Sequence, residues 1–255
     1  MDARAQFVLD AADPPPVEVV GAQASRPLVL TCEHGGRAVP AHLAERAPPA
    51  EEMARHIAWD VGAAEVARGV ADRLGAALCI QPYSRLVIDC NRPRHAADLA
   101  PAVSDASPIP FNADLVEADR DARWHAIHQP FHRAVGDLLD ARGHASLVAI
   151  HSFTPRLRSG APRQMMAGLL ARRDRTLAEA LMREITARAL DLAIVFDQPY
   201  RIEDDSDYTI PVHGERRGLP HVLVEIRSDL IADVAGVGRW TGLLADALAA
   251  MAVGD

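Results

Sequence analysis

Two histidines in this chain stand at the ends of short apolar runs: His34 after Leu28-Val29-Leu30-Thr31-Cys32-Glu33, and His151 after Leu147-Val148-Ala149-Ile150. Neutral imidazole is a common ligand for divalent metals, and a catalytic zinc site takes about three protein ligands while keeping one position open for water. A carboxylate should therefore complete the set. Asp60, in His56-Ile57-Ala58-Trp59-Asp60-Val61-Gly62-Ala63, is the choice, because Gly62 beside it permits close approach. Glu33 is the rival, although neighbours on an extended strand point to opposite faces, which sets it apart from His34. An Asp close to a helix start can also serve only the helix dipole.

Glu225 lies within His221-Val222-Leu223-Val224-Glu225-Ile226-Arg227, a carboxylate inside an apolar strand-like run. A charge buried there is costly unless it is paired or functional. With a raised pKa it could take a proton from water and pass it to a leaving amine. Pairing with Arg227 or Arg92 is the structural alternative. Arg85, Asn91 and Arg92 bracket Leu86-Val87-Ile88-Asp89-Cys90, and guanidinium suits a two-pronged grip on a carboxylate. On a regular strand Arg85 and Asn91 would share a face, and the three together are assigned to the carboxylate of a substrate.

The remaining histidines carry less. His128 and His132 are four apart, but Pro130 between them disturbs helical geometry and no general base adjoins them. His213, on a loop before the Glu225 strand, is assigned a substrate contact or an oxyanion role. Cys32, Cys79 and Cys90 show neither metal-ligand spacing nor a disulfide framework and read as buried small hydrophobes, with Cys32 two residues before His34 the one conceivable nucleophile.

These residues need a frame to hold them. Strands are predicted at Val17 to Val20, Leu28 to Thr31, Ala77 to Gln81, Leu86 to Cys90, Leu147 to Ile150, Met166 to Leu170, Ala193 to Phe196 and Val222 to Ile226. Helices are predicted at Arg55 to Leu74 ending at Gly75, Ala118 to Arg142 closing at Gly143, Asp174 to Leu190 and Arg239 to Met251. A short helix follows Pro40, and residues 93–113, rich in Pro, Ala, Asp and Ser, form a long loop near the site. Strands alternating with helices argue for a three-layer α/β/α sandwich on a mixed, mostly parallel sheet, with its active site at strand carboxyl ends. The 255 residues are expected to form a single domain, 1–255, with 1–26 as a lead-in.

Composition narrows the function. The formal charge of -8 argues against a nucleic-acid binder, which needs a basic face. All 27 basic residues are Arg, so Lys-based Schiff-base chemistry is excluded. No run approaches the roughly 20 apolar residues of a membrane span, and the N-terminus lacks the basic start and apolar core of a signal peptide. A cytoplasmic protein with no membrane or nucleic-acid partner is expected, and the sequence leaves room for a homo-oligomer.

The order of these motifs resembles the N-formylglutamate amidohydrolase family from about residue 28 to 232. The likeness runs through His34-Gly-Gly, His56 to Ala63, Tyr83-Ser84-Arg85, Asp89-Cys-Asn91-Arg92, His128 to His132, Ile150-His151-Ser152 and Arg217 to Arg227. The resemblance implies a fold related to zinc carboxypeptidases and aspartoacylase-like deacylases, of the phosphorylase/hydrolase-like type. It implies Zn2+ as cofactor, though imidazole and carboxylate also suit other divalent metals. It implies hydrolysis of N-formyl-L-glutamate, or of a related small N-acyl amino acid with a free carboxylate, as in histidine degradation. The rival readings are a deacylase or peptidase acting on another carboxylate substrate and a non-catalytic binder of acidic metabolites. Two departures stand out: Arg37 occupies the place where carboxypeptidase-like sites carry a Glu, and Cys-Glu-His-Gly-Gly replaces a Pro-His-Ser-Gly form, which leaves open a sister group with another substrate.

Overall fold

The computed structural model of the chain describes residues 9–251, so the first eight residues of the expected lead-in lie outside it. Nine strands follow in order: β1 Glu18–Val20, β2 Leu28–Cys32, β3 Ala77–Ile80, β4 Val103–Ser104, β5 Ser107–Pro108, β6 Ser146–Phe153, β7 Ala167–Leu170, β8 Ile194–Phe196 and β9 His221–Arg227 among the described residues. All but the small β4/β5 ribbon join one sheet in the order β1-β3-β2-β6-β9-β7-β8. The β3/β2, β2/β6, β6/β9 and β7/β8 pairs are parallel; β1/β3 and β9/β7 are antiparallel. This is the mixed, mostly parallel sheet expected.

Helices α1 Ala50–Met53, α2 Ala63–Leu74, α3 Glu117–Arg123, α4 Gln129–Asp140, α5 Thr176–Arg188 and α6 Val234–Met251 complete the layers. The period-two alternation of the central strands decides what lies where. Leu30, Leu78, Val148, Ile150, Val222 and Val224 face one side and pack with α2, α5 and α6 through residues such as Val66, Leu181 and Trp240. Val29, Ala77 and Cys79 face the other side and meet Phe131, Val135 and Leu139 of α4. Leu147, Ala149 and Leu223 lie on that second face too, against Ile202 and Ile210. His151 and Glu225 continue the 147-149 and 223 series, so both project from this second face.

Three sequence expectations change. The apolar run Leu86 to Cys90 is buried but forms turns, with its amides bonded locally or to a neighbouring loop: Val87 N–H to Ser84 O at 2.9 Å and Asp89 N–H to Leu99 O at 2.8 Å. The helix expected from Arg55 starts only at Ala63, because Gly62 has φ +79° and the Asp60 N–H goes to His34 O. The helix expected over 118–142 is α3 and α4 joined by a π-helical turn at Trp124–His128. Residues 93–113 carry the β4/β5 ribbon, and Val103 to Asp105 line a smaller cavity of about 350 Å³ with Arg85 and Arg92.

Candidate metal centre and active site

β2, β6 and β9 run side by side in parallel, so their carboxyl ends open at one edge of the sheet. His34 sits two residues past β2. His151 lies inside β6, which runs three residues beyond the predicted Ile150, and Glu225 lies inside β9. Asp60 arrives from the turn before α2, where its backbone N–H donates to His34 O at 2.9 Å. Gly62 makes this turn possible: a Cβ there would lie 2.2 Å from Ile231 O, and φ +79° is a left-handed conformation that suits glycine.

His34 and His151 turn their Nδ1 atoms to the same carboxylate oxygen, Asp60 Oδ2, at 3.3 and 2.9 Å. The ligand atoms of this buried trio lie within 4.8 Å of one another. The opposite nitrogens are held by further carboxylates: His34 Nε2 by Asp89 Oδ1 at 2.7 Å, His151 Nε2 by Glu33 Oε2 at 2.8 Å. Two imidazoles and one carboxylate converging, each imidazole backed by an acid, is a donor set that fits a divalent metal such as zinc. Glu33 thus stands behind His151 rather than beside the converging Nδ1 atoms, and Asp60 is the carboxylate in the trio. Arg37, at the departure from the carboxypeptidase-like pattern, lies 5.3 Å from the ring centre of Trp59.

The electrostatics follow from burial and these partners. Burial alone would raise the Asp60 and Asp89 carboxyls. The two histidines outweigh it at Asp60, and Arg85 with His34 outweighs it at Asp89, so both are held far below the usual carboxylate range. Burial opposes charge on His151, but its hydrogen bonds to Asp60 and Glu33 win and raise its pKa well above the ordinary value. Glu225 shows the opposite balance: burial dominates and pushes it up to about 7, and its Oε2 has no hydrogen-bond partner.

His34, Asp60, His151 and Glu225 line a cavity of about 690 Å³, together with Arg85, Asn91 and Arg92. Arg85 donates from Nε and NH2 to Asp89 Oδ2 at 3.0 and 2.7 Å, while its NH1 lies 3.5 Å from Asp60 Oδ1. Arg92 donates through Nε to Asp98 and through NH1 to Ser206 O. Asn91 accepts the Tyr208 and Thr209 N–H groups and donates to Asp207. The three come together although the strand invoked to align them is absent; the turn at Asp89 does that work instead. His213 is not among the cavity's lining residues: it is buried with Nε2 3.1 Å from His132 Nδ1, a placement that does not suit the substrate contact predicted for it.

Sequence reading passed over two features. Asp89 joins His34 to Arg85, and its signal was available as a carboxylate inside an apolar run, the same clue that marked Glu225. The wall formed by Asp197 to Arg201, Glu203, Ser206 and Asp207 comes from an irregular segment after β8, and no periodicity announces it.

The chain matches no curated protein. Residues 26–232 match the N-formylglutamate amidohydrolase family. The solved structure of a gene product of Agrobacterium tumefaciens is 34% identical and superposes with a TM-score of 0.88, over 96% of this chain and 100% of that one. An N-formylglutamate amidohydrolase from Ralstonia eutropha JMP134 shares 18% identity and the fold, with a TM-score of 0.65 over 94% of this chain and 98% of its own. With its motifs matched across most of its length, the chain belongs to the N-formylglutamate amidohydrolase family.

Proposed function

We propose that the protein is a metal-dependent amidohydrolase, its catalytic domain spanning the chain. It cleaves the amide bond of N-formyl-L-glutamate, or of a related N-acyl amino acid with a free carboxylate, releasing formate or another acid and the amino acid. The observation that carries this reading is the buried His34-Asp60-His151 trio sharing a cavity with Glu225, whose pKa burial raises to about 7.

His34, Asp60 and His151 would hold the metal, with zinc favoured by the family likeness. Bound there, a divalent cation supplies Lewis-acid polarisation of the amide carbonyl and eases the ionisation of water. Glu225 accepts a proton from the attacking water as the water oxygen bonds to the carbonyl carbon. It then passes that proton to the leaving nitrogen as the C–N bond breaks. Arg85 keeps one edge on Asp89 and brings NH1 to the Asp60 end of the cavity, where negative charge on the carbonyl oxygen would need stabilising. Arg92 retains NH2 for the substrate carboxylate, and Asn91 fixes the wall segment beside it. Such a fixed orientation lowers the entropic part of the barrier. This activity would place the protein in cytoplasmic amino-acid catabolism.

The test is metal analysis of the purified protein together with a panel of N-formyl and N-acetyl amino acids. Stoichiometric metal and formate release fastest from N-formyl-L-glutamate are expected. Release of acetate instead would point to the deacylase reading, and absence of both metal and turnover would overturn the hydrolase.

A further inference from the structure

His128, His132 and His213 are singled out by sequence but absorbed by no step of the proposed reaction. His132 Nε2 lies 2.6 Å from Cys90 O, and His128 Nε2 lies 3.0 Å from Arg92 O. These two carbonyls flank Asn91, in a segment with no strand ladder to satisfy its backbone.

Proton positions follow from the partners. A carbonyl oxygen only accepts, so Nε2 carries the hydrogen in both rings. His132 Nδ1 is then an acceptor, and His213 Nε2, 3.1 Å away, must donate to it. That leaves His213 Nδ1 and His128 Nδ1 bare, and both are buried atoms without a hydrogen-bond partner. A second proton on His132 would reverse this bond and force His213 into its Nδ1–H tautomer. Burial agrees with three neutral rings, lowering His128 to about 3 and His213 to about 4.

The surroundings hold the rings in place. His128 stacks on Trp124 at 3.5 Å between centroids, His132 lies 4.4 Å from Tyr208, and His132 and His213 stack at 5.2 Å. His128 closes one π-helical turn and His213 lies in another, Ile210–Glu215. The residues just before that second turn, Tyr208 and Thr209, donate their backbone N–H groups to Asn91 Oδ1. Both π turns therefore converge on the Cys90-Asn91-Arg92 segment, and an extra residue in a helical turn is a recurrent way to re-aim side chains at a functional site.

We propose that His128, His132 and His213 are positioning residues: a buried chain of neutral imidazoles that clamps the main chain on both sides of Asn91 and so aims Arg92 at the substrate's carboxylate. The proposal rests on the reading of Arg92 as the carboxylate-binding group. None of the three rings touches the reacting atoms.

The test uses the metal-loaded full chain with N-formyl-L-glutamate as probe. His132→Leu removes the donor to Cys90 O and should raise KM roughly tenfold while kcat falls less, with metal content unchanged. His132→Gln, which keeps a side-chain N–H, should recover most of that loss. An unchanged KM in folded, metal-loaded His132→Leu would overturn the positioning role. Nitrogen NMR of the wild-type histidine rings supplies a readout that survives misfolding of any variant: three neutral Nε2–H tautomers are expected, and an Nδ1–H form of His132 would overturn the chain. Wild-type protein inactive on the probe would instead defeat the functional reading, and the tautomers would then decide the imidazole chain by themselves.

Discussion

His151 and Glu225 are register partners across the parallel β6/β9 ladder, so an imidazole with a raised pKa and a carboxyl pushed up to about 7 leave neighbouring strands on one face. Backbone pairing, rather than a flexible loop, sets the spacing of a metal-side group and the proposed base. Sites built on strands hold their geometry more closely than sites on loops.

Glu225→Gln tests the base directly. The amide keeps the shape but cannot accept the proton of water, so kcat should fall roughly 10²–10⁴-fold with metal content unchanged. The wild-type rate should decline as pH drops through the Glu225 pKa, because only the ionised carboxylate accepts a proton. That limb ends at or below about 7, since a bound cation would pull the metal-free value down. A kcat retained in a metal-loaded Gln variant would remove Glu225 from the mechanism.

Asp89 is shared between His34 Nε2 and Arg85, so one substitution should be felt at both ends of the cavity. Asp89→Asn should weaken metal affinity roughly 10–100-fold, as removal of an acid behind a ligating histidine does. Loss of the Arg85 anchor should lower kcat in protein reloaded with metal, because its NH1 faces the carbonyl oxygen where negative charge develops. Chelator competition measures the first effect and steady-state kinetics the second; an affinity equal to wild type would show that His34 needs no acid behind it.

What could be read from sequence was local. Short continuous apolar runs identified β6 and β9, and a histidine ending one run and a glutamate interrupting the other marked His151 and Glu225. The same rule misread Leu86 to Cys90, because those side chains are apolar to fill the core while their amides bond to turns and to Leu99, and hydrophobicity reports burial without reporting the pairing partner. The helix expected from Arg55 failed for a different reason. Its apolar spacing was helical, but Gly62 in the left-handed region and the bond from Asp60 N–H to His34 O stop the helix short, and both are set by what lies across space. Roles that depend on distant partners, such as Glu33 behind His151 or Asn91 beneath Thr209, have no local signature.

Gly62→Ala should be costly out of proportion to one methyl group. The new Cβ would meet Ile231 O at 2.2 Å on a backbone with φ +79°, so the turn carrying Asp60 must shift. A loss of about 1–3 kcal/mol in stability is expected from the left-handed conformation alone. Chemical denaturation measures it, and metal affinity should fall in parallel because Asp60 moves with the turn. A variant as stable and as tight for metal as wild type would show that this turn yields freely.

Metal loading should expel a proton. In the metal-free chain burial disfavours a charged His151, but the hydrogen bonds to Asp60 and Glu33 prevail and favour the protonated ring, whose Nδ1–H points at Asp60 Oδ2, 2.9 Å away. A metal needs the lone pair of that nitrogen, and coordination must displace the hydrogen. Above the Glu225 pKa, where that carboxyl is already ionised and releases nothing more, titrating zinc into metal-free protein in buffers of different ionisation enthalpy should therefore report release of about one proton from His151. The sign fixes the pH dependence: below the raised pKa of His151 each bound metal competes with a proton, so apparent affinity falls as pH falls and levels off only above that pKa. The Asp60→Asn variant sharpens the test. It removes the carboxylate that helps keep His151 charged, so proton release should shrink even as metal affinity drops. Calorimetric slopes of zero for the wild type would mean that His151 is neutral before metal arrives, and Asp60 with Glu33 would then be holding a ring already set to coordinate.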